Sequence, residues 1–415
     1  MLSCSHFPSC SGCTAIGTPY ERQLEQKLTA VREAFAEAAL PEFDVRSIRR
    51  IAPSPSPGGY RNRVKLVPAC SPTDAPPPGI HLGLFQAGSH HVVDIPDCPV
   101  HADGLNVAVE AVRGAIGGAG LRLYDEVAVS GDLRFVSIRQ GMRTAQLLVG
   151  VVTRDERCAG LERFVELVRR DRDAVVGVVQ NINAQPGNVI FGPRSRVLAG
   201  RAYLEDEVCG LKIRLGLTSF FQVNTEVAEL AYRAILAQLE LDRRTTLLDL
   251  YSGIGSIGLV ASSAVHRVIG IETSDEAVEY AQQAAAANGV GNCEFRTGRV
   301  EDKLHPVIGE LGRIGLSRAQ LAVIVNPPRK GIDPVVVDML GKVGPGGIAY
   351  LSCCVPTLLR DLALFIQRGY RIRHVELFDM FPQTEQVEAL AILKLRGPTI
   401  PRKSQRSRKH ARRGA

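Results

Sequence analysis

The alternation of apolar and polar positions changes texture twice along the chain. Near the start, Leu24, Leu28, Val31 and Phe35 recur at helical spacing, which predicts an amphipathic helix over residues 19–39. Proline and glycine then take over at Pro53, Pro55, Pro57, Gly58 and Gly59, and the pattern turns to period two in YRNRVKLV. Arg61, Arg63 and Lys65 therefore share one strand face, which suits either a phosphate-facing surface or a plain wet face. HLGLFQAG and HHVVDIPDC follow as hairpin-like strands beyond the prolines at 76–78, and residues 110–215 mix helices and strands with no chemical motif. From about Thr218 strand and helix alternate cleanly. A helix over 225–239, N-capped by Asn224, precedes strands at 246–250, 267–271, 294–297, 321–325 and 348–351. Strands separated by helices imply a parallel sheet covered on both faces. The last two strands, 371–378 and 389–396, are joined by a loop with no helix, so an antiparallel hairpin closes that sheet. The expected domains are residues 1–217 (α+β), residues 218–398 (α/β) and a tail at 399–415.

A chain of 415 residues with 45% hydrophobic content can build about two or three cored domains. Its longest apolar runs, such as 147–152, fall well short of the roughly 20 residues of a membrane span. MLSCSHFPSC also lacks the layout of a signal peptide, so a cytoplasmic protein without membrane association is expected. Ten cysteines in a reducing compartment ask for metal binding or catalysis in place of disulfides. The formal net charge of +7 resides in PRKSQRSRKHARRGA at 401–415, where Arg402, Lys403, Arg406, Arg408, Lys409, Arg412 and Arg413 meet no acidic residue. That tail reads as disordered, and suits salt-dependent phosphate binding as well as simple solvation.

Candidate chemistry gathers in the C-terminal third. Asn326 in VIVNPPRKG, Cys353 in YLSCCVPT and Glu388 in FDMFPQTEQVEAL each lie beside a predicted strand end. A lone cysteine at such a place reads as core. Together the three side chains suit methylation of a pyrimidine at C5, a carbon too weakly nucleophilic to attack a sulfonium methyl unaided. A thiolate added at C6 creates the enolate that can attack, and a carboxylate can then remove the C5 proton. An amide matches the O4 and N3–H edge of uracil. Upstream, LLDLYSGIGSIGL places Gly253, Gly255 and Gly258 between a strand and a helix, and Glu272 ends the next strand, where it can hold ribose hydroxyls. This pair fits NAD as well as S-adenosylmethionine; Asp249 before the turn and the later NPP favour the methyl donor. NPP is followed by Arg329 and not by the aromatic residue of amino-methyltransferases, which argues for carbon as the acceptor.

LLDLYSGIGSIGL, VNPPRKGI, YLSCCVPTLLRDL and FDMFPQTEQVEAL, with FFQVN upstream, closely resemble the RNA uracil-5-methyltransferases, nearest their bacterial 23S rRNA type. The resemblance implies a class I S-adenosylmethionine-dependent methyltransferase fold, Rossmann-like, behind an α+β domain with an iron–sulfur loop. It implies that Gln222, Tyr251, Glu272 and Asn326 bind or line the site of S-adenosylmethionine, that Cys353 is the nucleophile and that Glu388 is the base. Cys4, Cys10 and Cys13 with the distant Cys98 would hold a 4Fe-4S cluster; their spacing alone suits a four-cysteine zinc site equally. The implied partner is 23S rRNA, met by a monomer, and no TRAM module is expected before Cys4. That type carries Asn in NPPR where relatives acting on tRNA or another 23S site have Asp. Cys354 stands where the family usually has Asn, and Gln386 where it often has His. Methylation of tRNA or another RNA, a non-catalytic RNA-binding iron–sulfur protein and an NAD-dependent oxidoreductase are the alternative readings.

Overall fold

The computed structural model describes residues 2–71, 79–126, 128–187 and 189–396. The expected basic tail lies outside them. The chain enters with α1 (Tyr20–Ala38) and a two-residue strand, β1 (Ile51–Ala52). A mixed segment follows, with β2 (Arg63–Cys70), β3 (Ile80–Phe85), β4 (Val92–Asp94), α2 (Asp103–Ala119), β5 (Leu133–Gln140) and β6 (Leu147–Thr153). It continues through α3 (Leu161–Arg169), β7 (Val175–Ile182) and β8 (Arg194–Gly200) to the hairpin of β9 (Tyr203–Val208) and β10 (Leu211–Gly216). Then come α4 (Thr225–Gln238), β11 (Thr246–Leu250), α5 (Ser256–Ala261), β12 (Arg267–Glu272), α6 (Asp275–Ala287), β13 (Cys293–Thr297) and α7 (Val300–Arg313). The chain closes with β14 (Leu321–Val325), α8 (Pro334–Val343), β15 (Gly347–Ser352), α9 (Val355–Gln367), β16 (Tyr370–Phe378) and β17 (Glu388–Leu395).

The first large sheet has the order β4-β3-β2-β5-β6-β7-β8 and is antiparallel except for the parallel pair β6 and β7. Every residue of β6 is buried, because its two faces enter different cores. Leu147, Val149 and Val151 pack with α2 and α3, while Leu148 packs with β9, β10 and α4. Double coverage of this kind removes the polar alternation that marks a one-faced strand.

The second large sheet runs β1-β16-β17-β15-β14-β11-β12-β13. β15, β14, β11, β12 and β13 are successively parallel, and β17 runs antiparallel to both β15 and β16. The α/β alternation and the closing hairpin expected from the pattern are both present. Val31 and Phe35 of α1 join the same apolar core as Val323 of β14 and Tyr350 of β15, and α1 packs on α9. The N-terminal helix and β1 thus sit on the second sheet, although they precede all of the first in the chain. Asn224 caps α4 by accepting from Val227 N at 3.3 Å, as its residue type predicts. Ligands of open α/β sheets bind beyond the carboxyl ends of the strands. Tyr251, Glu272, Asn326 and Cys353 all stand at that edge here.

Candidate functional site

The glycine-rich turn joins β11 to α5 under tight steric limits. Gly253 and Gly255 adopt φ of 54° and 73°, and a Cβ on Gly255 would lie 2.5 Å from the Phe295 ring. Glu272, at the end of β12, accepts from Gly253 N at 3.0 Å with Oε2, and from Thr273 N and Ser274 N at 2.7 and 3.0 Å with Oε1. Oε2 keeps acceptor capacity for a further donor. Behind the turn, buried Asp249 accepts from Gly258 N at 3.0 Å with Oδ2, while its Oδ1 has no protein partner. Burial pushes the Asp249 carboxyl up to about 7, with Glu272 adding to the shift. Gln222 is buried and its carbonyl accepts from Asn62 Nδ2 at 2.9 Å; a Cβ on Gly253 would meet Phe220 O at 3.7 Å, so the segment leading to Gln222 lies against the turn. Tyr251 takes a left-handed φ of 61°, and burial raises its hydroxyl well above the ordinary range. Asn326 N donates to Leu250 O at 3.4 Å, which holds the NPP segment beside the end of β11.

Cys353 is half-buried at the exit of β15, and Cys354 is the N-cap residue of α9. The β15–β17 register pairs Ser352 with Ala389, so Cys353 and Glu388 occupy adjoining places at one sheet edge. Glu388 is buried, its Oε2 lacks a hydrogen-bond partner, and burial pushes its carboxyl up to about 8. Burial also raises the Cys353 thiol, and Glu388 and Cys354 add to that, whereas the nearby Arg329 guanidinium opposes it. Arg329 Nη2 in turn donates to Gln386 Oε1 at 3.0 Å. The structure therefore brings a thiol, a high-pKa carboxyl and a cation together, beside the edge that carries the glycine turn. In the sequence Arg329 stands where amino-methyltransferases carry an aromatic residue, and its pairing with Gln386 has no local pattern. A positive charge right after NPP is the sequence signal that marks it.

Cys4, Cys10, Cys13 and Cys98 line one cavity of about 340 Å³, together with Phe7, Arg61 and Phe220. Among the described residues no group of three or more His, Cys, Asp or Glu side chains is gathered as a single bound metal ion would require. Burial, followed by Cys98 and Cys10, pushes the Cys13 thiol up to about 12. The loop is anchored to the first sheet by Ser11 Oγ, which donates to Phe85 O at 2.7 Å. It is anchored equally to the segment before Glu388: Thr14 N and Ala15 N donate to Gln383 O at 3.1 and 3.0 Å, and Glu385 N donates to Thr14 Oγ1 at 3.1 Å. Further along, Lys27 pairs with buried Asp379, which also accepts from Tyr20 Oη at 2.7 Å. No local pattern announces these contacts, because each joins polar residues at opposite ends of the chain.

The chain is similar to known proteins in sequence and in fold. The model of the tRNA (uracil-5-)-methyltransferase family matches residues 207–396. An uncharacterized RNA methyltransferase of Nostoc sp. is 36% identical over 394 residues, covering 94% of this chain and 82% of the relative. One from Geobacter sulfurreducens is 34% identical, covering 94% and 76%. The crystal structure of Pyrococcus abyssi tRNA (uracil-54, C5)-methyltransferase in complex with S-adenosyl-L-homocysteine superposes with a TM-score of 0.71 at 25% identity, over 93% of this chain and 86% of that one.

Proposed function

The chain belongs to the RNA uracil-5-methyltransferase family, and on that premise we propose that it methylates C5 of a uridine in 23S rRNA with S-adenosylmethionine as donor. The observation that carries the reading is the facing of Cys353 and Glu388 at the strand edge that also holds the glycine turn. In this reading the Cys353 thiolate adds to C6 of the uracil, and the electron pair of the C5–C6 bond moves toward O4. When bound, S-adenosylmethionine supplies an electrophilic methyl group, with a neutral thioether as leaving group, to the activated C5. Glu388 then accepts the C5 proton, the C5–C6 double bond re-forms, and the Cys353 thiolate departs. The raised pKa of Glu388 makes its ionised form a strong proton acceptor, and its unpartnered Oε2 is free for the task. Glu272 would take the ribose hydroxyls, with Gln222, Tyr251 and Asn326 lining the remainder of the donor's site. The target base has to leave its stack to reach Cys353.

The substrate is assigned to 23S rRNA on Asn326 in NPPR, which matches the 23S type in the residue that separates it from relatives acting on tRNA. Family members named for tRNA supply the second reading. Mapping of 5-methyluridine in the rRNA and tRNA of a deletion strain separates the two: loss of one 23S position supports the assignment, and loss confined to tRNA overturns it.

Cys4, Cys10, Cys13 and Cys98 are assigned to a 4Fe-4S cluster. The four cysteines line one cavity, and burial with the neighbouring Cys98 and Cys10 disfavours the Cys13 thiolate, a cost that a cationic centre among them would offset. Its role would be to hold the N-terminal loop against both the first sheet and the segment before Glu388. Anaerobically purified protein should then contain about four iron atoms per chain. Stoichiometric zinc without iron would contradict this.

A further inference from the structure

Arg329 is held from both ends. Its carbonyl accepts from Thr357 Oγ1 at 3.0 Å, and its guanidinium donates to Gln386 Oε1 at 3.0 Å. The residues after it are fixed by α9 as well. Arg360 Nη2 donates to Lys330 O and Ile332 O at 2.9 and 3.3 Å, and buried Asp361 accepts from Ile332 N at 2.8 Å and from Tyr350 Oη at 2.6 Å. Between them Gly331 turns with φ of 80°, where a Cβ would lie 2.5 Å from Arg360 Nη2 and Asp361 Oδ2. The backbone from Arg329 to Ile332 thus has little room to move, while the Arg329 side chain itself is exposed and long. A free arginine side chain has many rotamers, and restricting one to a single pose costs conformational entropy. Thr357 Oγ1 donates to Cys354 O at 3.1 Å as well as to Arg329 O, so Arg329 starts beside the Cys353–Cys354 pair, and an acceptor at Gln386 selects one pose of its side chain there.

Gln386 supplies that acceptor. Its amide carries no charge at any working pH, so it orients the guanidinium without neutralising it, whereas a protonated histidine would present a donor to a donor. The groups facing Cys353 are Glu388 and Cys354, which disfavour the thiolate, and Arg329, which favours it. Arg329 is the favourable charge in that set, so its placement governs how much thiolate is available. We propose that Gln386 is a positioning residue of the methylation reaction: it holds the Arg329 guanidinium in one pose near Cys353, on a loop clamped by Thr357, Arg360 and Asp361. The inference rests on Cys353 being the nucleophile.

Alkylation of Cys353 by iodoacetamide, followed across pH by mass spectrometry of its peptide in the full-length protein, reads thiolate availability without any RNA. Gln386→Leu, an exposed change with little scope to unfold the chain, should slow alkylation roughly tenfold near neutral pH and move the profile to higher pH. Arg329→Gln should do the same, and the double variant should add little, because the two residues act as one unit. A Gln386→Leu profile superimposable on wild type overturns the inference. Absence of a Cys353 adduct when wild-type protein meets S-adenosylmethionine and RNA containing 5-fluorouridine overturns instead the nucleophile reading beneath it.

Discussion

Cys353 and Glu388 leave neighbouring antiparallel strands at the same edge of the second sheet, next to the Ser352–Ala389 pair. The pairing of β15 with β17 therefore brings thiol and carboxyl to one edge, with Cys353 one residue past the last strand pair. A closing antiparallel strand serves the chemistry here, because it returns the chain to the carboxyl ends of the parallel strands with an acidic residue at its first position.

Glu388→Gln keeps the shape and removes the proton acceptor. Thiolate addition and methyl transfer should proceed, and release should stall. Incubation with RNA and the methyl donor should trap a covalent complex on an ordinary uridine, with product formation lower by about 10²–10⁴-fold, as expected for loss of a general base. Gel shift under denaturing conditions detects the complex.

The same carboxyl makes stability depend on pH. Its folded pKa, about 8, lies above the ordinary carboxylate range, so between roughly pH 4.5 and 8 the folded state holds a proton that the unfolded state has released. Stability contributed at this site is therefore present at acid pH and lost as pH rises toward 8. Thermal melts should show Glu388→Gln gaining on wild type between pH 5 and pH 8, by a difference on the order of a few kcal/mol.

Gly255→Ala should damage both fold and donor binding, because the position needs φ of 73° and the new methyl would strike the Phe295 ring. Calorimetric titration with S-adenosylmethionine should show affinity falling by at least about tenfold, alongside a lower melting temperature.

Lys27 and Asp379 form a buried pair that ties α1 to the segment leading to Glu388. Lys27→Met leaves the Asp379 charge without its counter-ion and should cost about 3–5 kcal/mol in urea denaturation. The double change Lys27→Met with Asp379→Leu should recover a good part of that loss, since an apolar pair of similar volume carries no desolvation penalty.

These contacts mark the limit of what was legible in the sequence. Buried parallel strands such as β11, β14 and β15 are short apolar runs bounded by turns, so their positions and the glycine turn between β11 and α5 could be read directly. Cys353 and Glu388 were readable because their chemistry needs those residue types at strand ends. β1, at two residues, carries no periodicity, and α1 gives its helical face but not the sheet it covers. The Thr14–Gln383, Lys27–Asp379 and Arg329–Gln386 contacts join distant polar positions, for which no local rule exists.

The most direct measurement of the whole account is adduct formation with RNA containing 5-fluorouridine, where fluorine at C5 prevents the final proton removal. Wild-type protein with S-adenosylmethionine should give a denaturation-resistant complex whose crosslinked peptide carries the RNA on Cys353. Cys353→Ala should abolish it and Cys354→Ala should retain it. An adduct that survives in Cys353→Ala and disappears in Cys354→Ala would contradict the assignment of the nucleophile.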